Sequence, residues 1–450
     1  MSISYISIVY SLFLIISLIY ASPHFSGRKT TNFILKAQRK VKVDAPPFYF
    51  VSKWVRHAFA FFSLLDGDAE RGALLVSNNL KTNLFTMTND ELQSKTIAFL
   101  RFPLIVGVVL IHCYYKELPI GGVKVPVMDE YPIYKLIADL FSQVLARTAV
   151  PLFFLISGYL FFYKSSFSWP MYGSKLRKRA QTLLLPYLFW NGALVGLHLL
   201  IELLFPSVLA GEVKPVLDYG WCDWWDIFWA REPSEPGGMP MPINYPLWFI
   251  RDLMVLVVFS PLVYAMVRYL RQYALALLGF LWLIYDGVSS PGLSPTAWFF
   301  FSLGAFYSVH RRNFVVETRP LLRGAALLYV VLALADLLSK ELGWNVYVHN
   351  VGILVGCVFA ISLSAYGLEK ALWRTNSFLE GASFFVFASH VIVQIFIYRL
   401  ILWFFRSSAE WAIIGIYFGV ALGAILICLA FYAMLRRFLP RLLSAITGGR

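Results

Sequence analysis

Two ionisable residues sit in one apolar run, Ile97-Ala-Phe-Leu-Arg101-Phe-Pro-Leu-Ile-Val-Gly-Val-Val-Leu-Ile-His112. Eleven positions separate them. At about 3.6 residues per turn that is close to three full turns, so both side chains share one helical face. The rise between them is roughly 16 Å at 1.5 Å per residue. Ionisable groups inside a membrane span are costly and mark functional sites by default. A neutral imidazole can take a proton from a hydroxyl near pH 7, and a guanidinium can hold an anion through forked hydrogen bonds. One helix thus presents a cation near one surface and an imidazole deep toward the other. That suits a substrate lying along the helix, its anionic part at Arg101 and its reactive end at His112. The competing reading is a snorkelling arginine and a histidine bonded to a neighbouring helix.

The elements that must position these residues are membrane helices. The chain has 450 residues, 59% hydrophobic and only 14% charged. Soluble chains carry about 25% charged residues, so most of this one faces lipid or protein. Aromatic residues make up 17%, which fits belts at the membrane interface. Spanning runs begin near Ile97, Val144, Thr182, Pro246, Tyr273, Thr296, Leu321, Tyr347, Ser383 and Trp411. They predict an all-α polytopic bundle of about ten transmembrane helices. The runs are continuous rather than alternating, so strands are not expected and a membrane β-barrel is excluded.

The net charge of +14 is explained by basic loops on the cytoplasmic side, and no nucleic-acid motif is present. With the start of the first run inside, Lys164 and Lys175–Arg179, Arg268 and Arg271, Arg311–Arg323, Lys370 and Arg374, and the basic tail all fall inside. Both ends of the bundle are then cytoplasmic. The long outside segment Pro206–Tyr245 carries Trp221, Trp224, Trp225 and Trp229, read either as an interfacial lid or as a sugar-stacking surface. The four cysteines form neither a disulfide framework nor a metal-ligand spacing. Cys113 beside His112 is a formal nucleophile candidate, with helix packing as the plainer role. Residues 1–94 form a poorly defined N-terminal region with an apolar stretch at 3–20, and Met87 reads as the native start. Residues 95–440 form the membrane domain, and 441–450 a short basic tail.

Five motifs in order carry a resemblance. They are Arg101-x(10)-His112, Val150-Pro-Leu-Phe-Phe-Leu-Ile-Ser-Gly-Tyr159, and Lys175-Leu-Arg177-Lys-Arg179 leading into Leu184-Leu-Pro-Tyr-Leu-Phe-Trp190. Pro246-Leu-Trp-Phe-Ile-Arg-Asp-Leu253 and Ser383-Phe-Phe-Val-Phe-Ala-Ser-His390 complete the set. From about Lys95 to Leu435 the chain resembles acyltransferase family 3. The resemblance implies a membrane-bound O-acyltransferase of the bacterial-type inner membrane. It would move an acyl group, most often acetyl from acetyl-CoA, onto a hydroxyl of a cell-envelope carbohydrate or glycolipid. Arg101 and His112 match the family's catalytic pair, and Arg177 and Arg179 its basic motif.

No tightly bound cofactor and no metal is expected; an acyl-CoA is the co-substrate. Lys175, Arg177, Lys178 and Arg179 are the candidate ligands of the coenzyme A phosphates, or else plain markers of topology. Trp248, Arg251, Asp252 and His390 are candidates for holding the acceptor. For Arg251 and Asp252 the alternative is an interfacial pair that snorkels, and for His390 a satisfied core histidine. Direct attack of the hydroxyl and an acetyl-histidine intermediate are both open. A transporter or flippase for a glycan or lipid-linked sugar is the rival reading, but such folds carry internal repeats and none is visible here. Replacing Arg177 and Arg179 together by Ala is expected to raise the Michaelis constant for the acyl-CoA. An unchanged constant would leave topology as the pair's only role.

Overall fold

The computed structural model describes residues 87–449, apart from residues 122, 165–166, 206–213, 232–239 and 285–289. The expectations placed on residues 1–86 lie outside the described residues. The polar lead Thr88-Asn-Asp-Glu opens α1 (Asn89–Ile111). The Thr88 hydroxyl accepts from the Glu91 amide at 3.2 Å, and Asp90 and Glu91 face the positive end of the helix dipole.

After α1 comes a hairpin of two short strands, β1 (Leu118–Ile120) and β2 (Val123–Val125). No strand was expected there. The turn is possible because Gly121 takes φ +62°, which costs a glycine nothing. The helices α2 (Pro132–Phe162) and α3 (Trp169–Leu204) follow. Both start before the apolar runs that announced them. Then come α4 (Trp221–Trp229), α5 (Tyr245–Val258), α6 (Ser260–Leu270), α7 (Gln272–Leu283) and α8 (Pro295–Val309). The last five are α9 (Phe314–Leu338), α10 (Asn345–Glu369), α11 (Ser377–Phe404), α12 (Glu410–Phe438) and α13 (Pro440–Thr447).

All ten apolar runs are helical. Seven described helices, α1, α2, α3, α9, α10, α11 and α12, are long and apolar enough to cross a membrane. An eighth is added if α5 and α6 form one span, bent by 66°. Pro261 lies at that break and has no N–H to give the preceding turn. The 12-residue α7 and 15-residue α8 are shorter than the roughly 20 residues of a full span. They pack together, with the Trp282 indole N–H donating to the Thr296 hydroxyl at 3.0 Å. The protein is an all-α, multi-pass membrane bundle.

Helix α1 lies beside α11, and the two run in the same direction: Arg101 meets Glu380, and His112 meets His390 further along both helices. Two parallel spans need an odd number of crossings between them. With α7 and α8 taken as an out-and-back pair, that parity holds only if α5–α6 crosses as well.

Helices α2 and α8 pack backbone to backbone. A Cβ at Gly304 would stand 1.9 Å from the Leu155 carbonyl oxygen, and one at Gly158 would stand 2.0 Å from that of Phe301. Small residues at helix crossings let membrane helices pack backbone to backbone. Gly304→Val is therefore expected to reduce sharply the amount of monodisperse protein extracted from membranes. Gly324→Ala, where nothing lies within 4 Å, serves as the neutral control. Equal recovery of the two on size-exclusion chromatography would count against this crossing as a structural anchor.

Candidate active site

The last four carbonyls of a helix have no partner within the helix. In α1 these belong to Val108, Leu110, Ile111 and Val109, and each is satisfied. The His112 amide bonds to the Val108 oxygen at 3.3 Å, and those of Cys113 and Tyr114 to Leu110 and Ile111 at 3.1 and 3.4 Å. The Gln394 side chain of α11 donates to the Val109 oxygen at 3.2 Å and to the Cys113 sulfur at 3.0 Å. The Ser142 hydroxyl of α2 donates to the Leu110 oxygen at 2.6 Å. Its own oxygen lies 2.8 Å from the Tyr417 hydroxyl of α12, which must therefore be the donor. Three other spans thus grip the end of α1, where His112 is the capping residue.

His112 is half-buried, and two rings flank it. Tyr245 meets it edge-on with centroids 4.7 Å apart, and His390 lies nearly parallel at 5.4 Å. His390 is fully buried. Its Nδ1 lies 3.1 and 2.7 Å from the carbonyl oxygens of Val386 and Phe387. Carbonyls only accept, so Nδ1 carries the proton and a neutral ring has its lone pair on Nε2. That Nε2 is buried and bonds to nothing among the described residues. Two histidines and a tyrosine from three helices therefore meet where α1 ends.

Tyr245 is placed by its neighbour. The Asn244 amide donates to the Asn191 side chain of α3 at 3.1 Å, and the Asn244 side chain donates to the Ala388 carbonyl of α11 at 3.0 Å. At the other end of the shared face, Arg101 forms an ion pair with Glu380 at 2.7 Å, the two side chains 38% and 33% exposed. Because α1 begins at Asn89 rather than near Ile97, Arg101 lies in the middle of the helix and not at a cationic end, while His112 closes it; α11 supplies a partner to each.

A family model described as an acyltransferase domain matches residues 95–433. The chain belongs to this acyltransferase family. It is similar to the succinoglycan biosynthesis protein ExoH of Rhizobium meliloti (strain 1021), at 27% identity over 364 residues. The match covers 79% of this chain and 92% of the relative. No solved structure matches.

The other candidate residues of the acyltransferase make contacts of their own. Its basic motif is helical rather than a loop: Ser168 caps the start of α3, and Lys175, Arg177, Lys178 and Arg179 lie on its first turns. Lys175 and Arg179, one turn apart, are half-buried, while Arg177 and Lys178 are exposed. The Lys175 ammonium donates to the Phe161 carbonyl at the end of α2.

Arg251 and Asp252 are 0% exposed, so they do not snorkel. Arg251 donates to Asp252 at 2.9 Å and to the carbonyls of Trp229 and Pro240 at 2.7 and 3.1 Å. Asp252 accepts from the Gly292 amide at 3.0 Å. The pair ties the loops before α5 and before α8 to the bundle. Trp248 is half-buried against Phe154 of α2. Trp221 of α4 is 93% exposed, so the tryptophan-rich segment keeps an open aromatic surface. Among the described residues no group of His, Cys, Asp and Glu could hold a metal ion.

Tyr245 was not singled out by sequence, although it directly precedes the Pro246-Leu-Trp248 motif. Gln394→Leu keeps the bulk of the side chain but leaves the Val109 carbonyl without its donor. An unsatisfied buried polar group costs about 1–3 kcal/mol. The variant is expected to melt at lower temperature in detergent and to turn over more slowly, with the Michaelis constant for the acyl-CoA unchanged. Wild-type melting and turnover would show that His112 does not depend on this clamp.

Proposed function

We propose that the protein transfers an acyl group, acetyl from acetyl-CoA, to a hydroxyl of a cell-envelope or exported polysaccharide, with His112 as general base. The observation that carries this reading is the half-buried His112 at the end of α1, flanked by Tyr245 and by the unpartnered Nε2 of His390. The family match and the similarity to a protein named for succinoglycan biosynthesis support the reaction class and a polysaccharide acceptor.

In the proposed reaction His112 removes the acceptor's hydroxyl proton as the hydroxyl oxygen bonds to the thioester carbonyl carbon. The carbon–sulfur bond breaks, and the coenzyme A thiolate takes the proton back from the His112 imidazolium as it leaves, which restores the neutral base. The products are an ester and free coenzyme A. The His390 Nε2 is an acceptor suited to holding a substrate hydroxyl beside His112.

The end of the bundle that carries Arg177, Arg179 and the Arg101–Glu380 pair is assigned to the cytoplasm by its basic residues, in the inner membrane of a bacterial-type cell. Coenzyme A would then be held at α3, where Lys175, Arg177, Lys178 and Arg179 are candidate ligands of its phosphates. The roughly 16 Å between Arg101 and His112 along α1 is the depth its acyl arm would have to reach.

Membranes containing the wild-type chain should move radiolabel from acetyl-CoA into the envelope glycan fraction. His112→Ala should lose at least a hundredfold of that rate at an unchanged protein level, since general bases contribute about 10²–10⁴-fold. Retention of more than about a tenth of the rate would rule out general-base catalysis by His112. Full function in His112→Asn would favour a transporter.

A further inference from the structure

A second group of ionisable residues lies on α2 and on the connection between α9 and α10. Arg147 sits in the middle of α2, fifteen positions after Pro132 and fifteen before Phe162. Regular α-helix is interrupted here: residues Asp139–Leu145 form a π-helical stretch and Ala146–Thr148 a 3₁₀ turn. Such interruptions inside a helix occur frequently at functional sites because they redirect side chains. The guanidinium folds back along the helix, its Nε and a terminal nitrogen both donating to the side-chain oxygen of Gln143, Nε at 3.1 Å. Among the described residues that neutral amide is its only hydrogen-bond partner, and no carboxylate pairs with it.

Arg147 and Gln143 line a wide-open surface pocket of about 430 Å³ together with Lys340, Asn345 and His349. Small-molecule sites typically occupy about 300–1,000 Å³. The nearby carboxylate, Asp336, is already engaged. It takes the Lys340 ammonium at 2.8 Å, the His349 Nδ1 at 2.8 Å and the Asn345 amide at 2.9 Å. Asp336 therefore balances Lys340 and leaves the charge of Arg147 uncompensated. A half-buried cation in a span is expensive without a counter-charge. One unbalanced charge matches one carboxylate rather than a doubly charged phosphate, and the guanidinium N–H groups not used by Gln143 can donate to it. The cavity also lies close to the proposed reaction centre. Gln143 adjoins Ser142, which holds the Leu110 carbonyl two residues before His112.

We propose that the Arg147 cavity is an anion subsite that holds a carboxylate of the substrate. This rests on the acyl-transfer reading above. The carboxylate belongs either to the far end of a dicarboxylic acyl group or to an acidic substituent of the acceptor glycan.

The test uses the full chain in lipid nanodiscs, as wild type, Arg147→Gln and Arg147→Lys. Transfer is measured from acetyl-CoA and from succinyl-CoA, each to a native acidic glycan and to the same glycan after chemical reduction of its carboxyl groups. Arg147→Gln should lose at least tenfold in kcat/KM where the subsite carboxylate is present and change less than twofold where it is absent, with partial rescue by Lys. Loss confined to succinyl-CoA places the carboxylate on the acyl group. Loss confined to the native glycan places it on the acceptor. An equal loss in all four combinations, or no loss in any, overturns the subsite. If the wild type transfers nothing, the acyl-transfer reading fails, and protection against heat by succinate or glucuronate decides the subsite. Protection of wild type that Arg147→Gln lacks supports it, and protection that is equal or absent in both overturns it.

Discussion

A helix that ends inside a packed bundle leaves carbonyl oxygens where water cannot be relied on to satisfy them. The end of α1 meets this constraint with side chains from three other spans, Gln394, Ser142 and, behind Ser142, Tyr417. Leaving even one such group unpaired costs as much as several good packing contacts contribute. The bundle is therefore committed to bringing α2, α11 and α12 to one point. His112 is the next residue after those carbonyls, so the interactions that close the helix also aim the imidazole. Precision at the candidate centre follows from backbone hydrogen bonding rather than from a separate set of positioning contacts.

Charges are handled in two ways elsewhere. Arg101 and Glu380 pair where both are about one third exposed, and solvent screens such a pair. Its value lies in setting the register of α1 against α11 rather than in free energy. Arg251 and Asp252 pair with no exposure at all, and their remaining bonds go to loop backbone. A buried pair of this kind adds little net stability, yet losing one partner costs about 3–5 kcal/mol because the other is stranded. It works as a latch on the loops at the end of the bundle where α5 begins.

Among the described residues each of the ten apolar runs corresponds to a helix, because continuous apolar segments of that length have few other ways to satisfy their backbone in lipid. Helix starts were less legible. The run read as opening near Val144 belongs to a helix that begins at Pro132. Polar first turns depress any local average of hydrophobicity. Arg147 falls close to the start of that run, although it is the central residue of α2. The same displacement of α3 made its basic motif look like a loop. Of the site itself, the Arg101–His112 spacing was legible because it lies within one helix. Tyr245, the Gln394 clamp and the Arg147 cavity depend on contacts between residues far apart in the chain, which no local pattern encodes.

The clamp at α1 has a consequence for biogenesis. Glu380 and Gln394 follow their partners in the chain by 279 and 285 residues. The ribosome therefore delivers α1 long before anything exists to neutralise Arg101 or to cover the Val109 carbonyl. During that interval α1 is an incomplete object in the bilayer, held by water, headgroups or insertion machinery. Its reactive end is assembled only when the penultimate span arrives. A nascent chain that stalls early carries an unpaired charge and an open helix end, the kind of polar defect by which membrane quality control could tell unfinished molecules from finished ones.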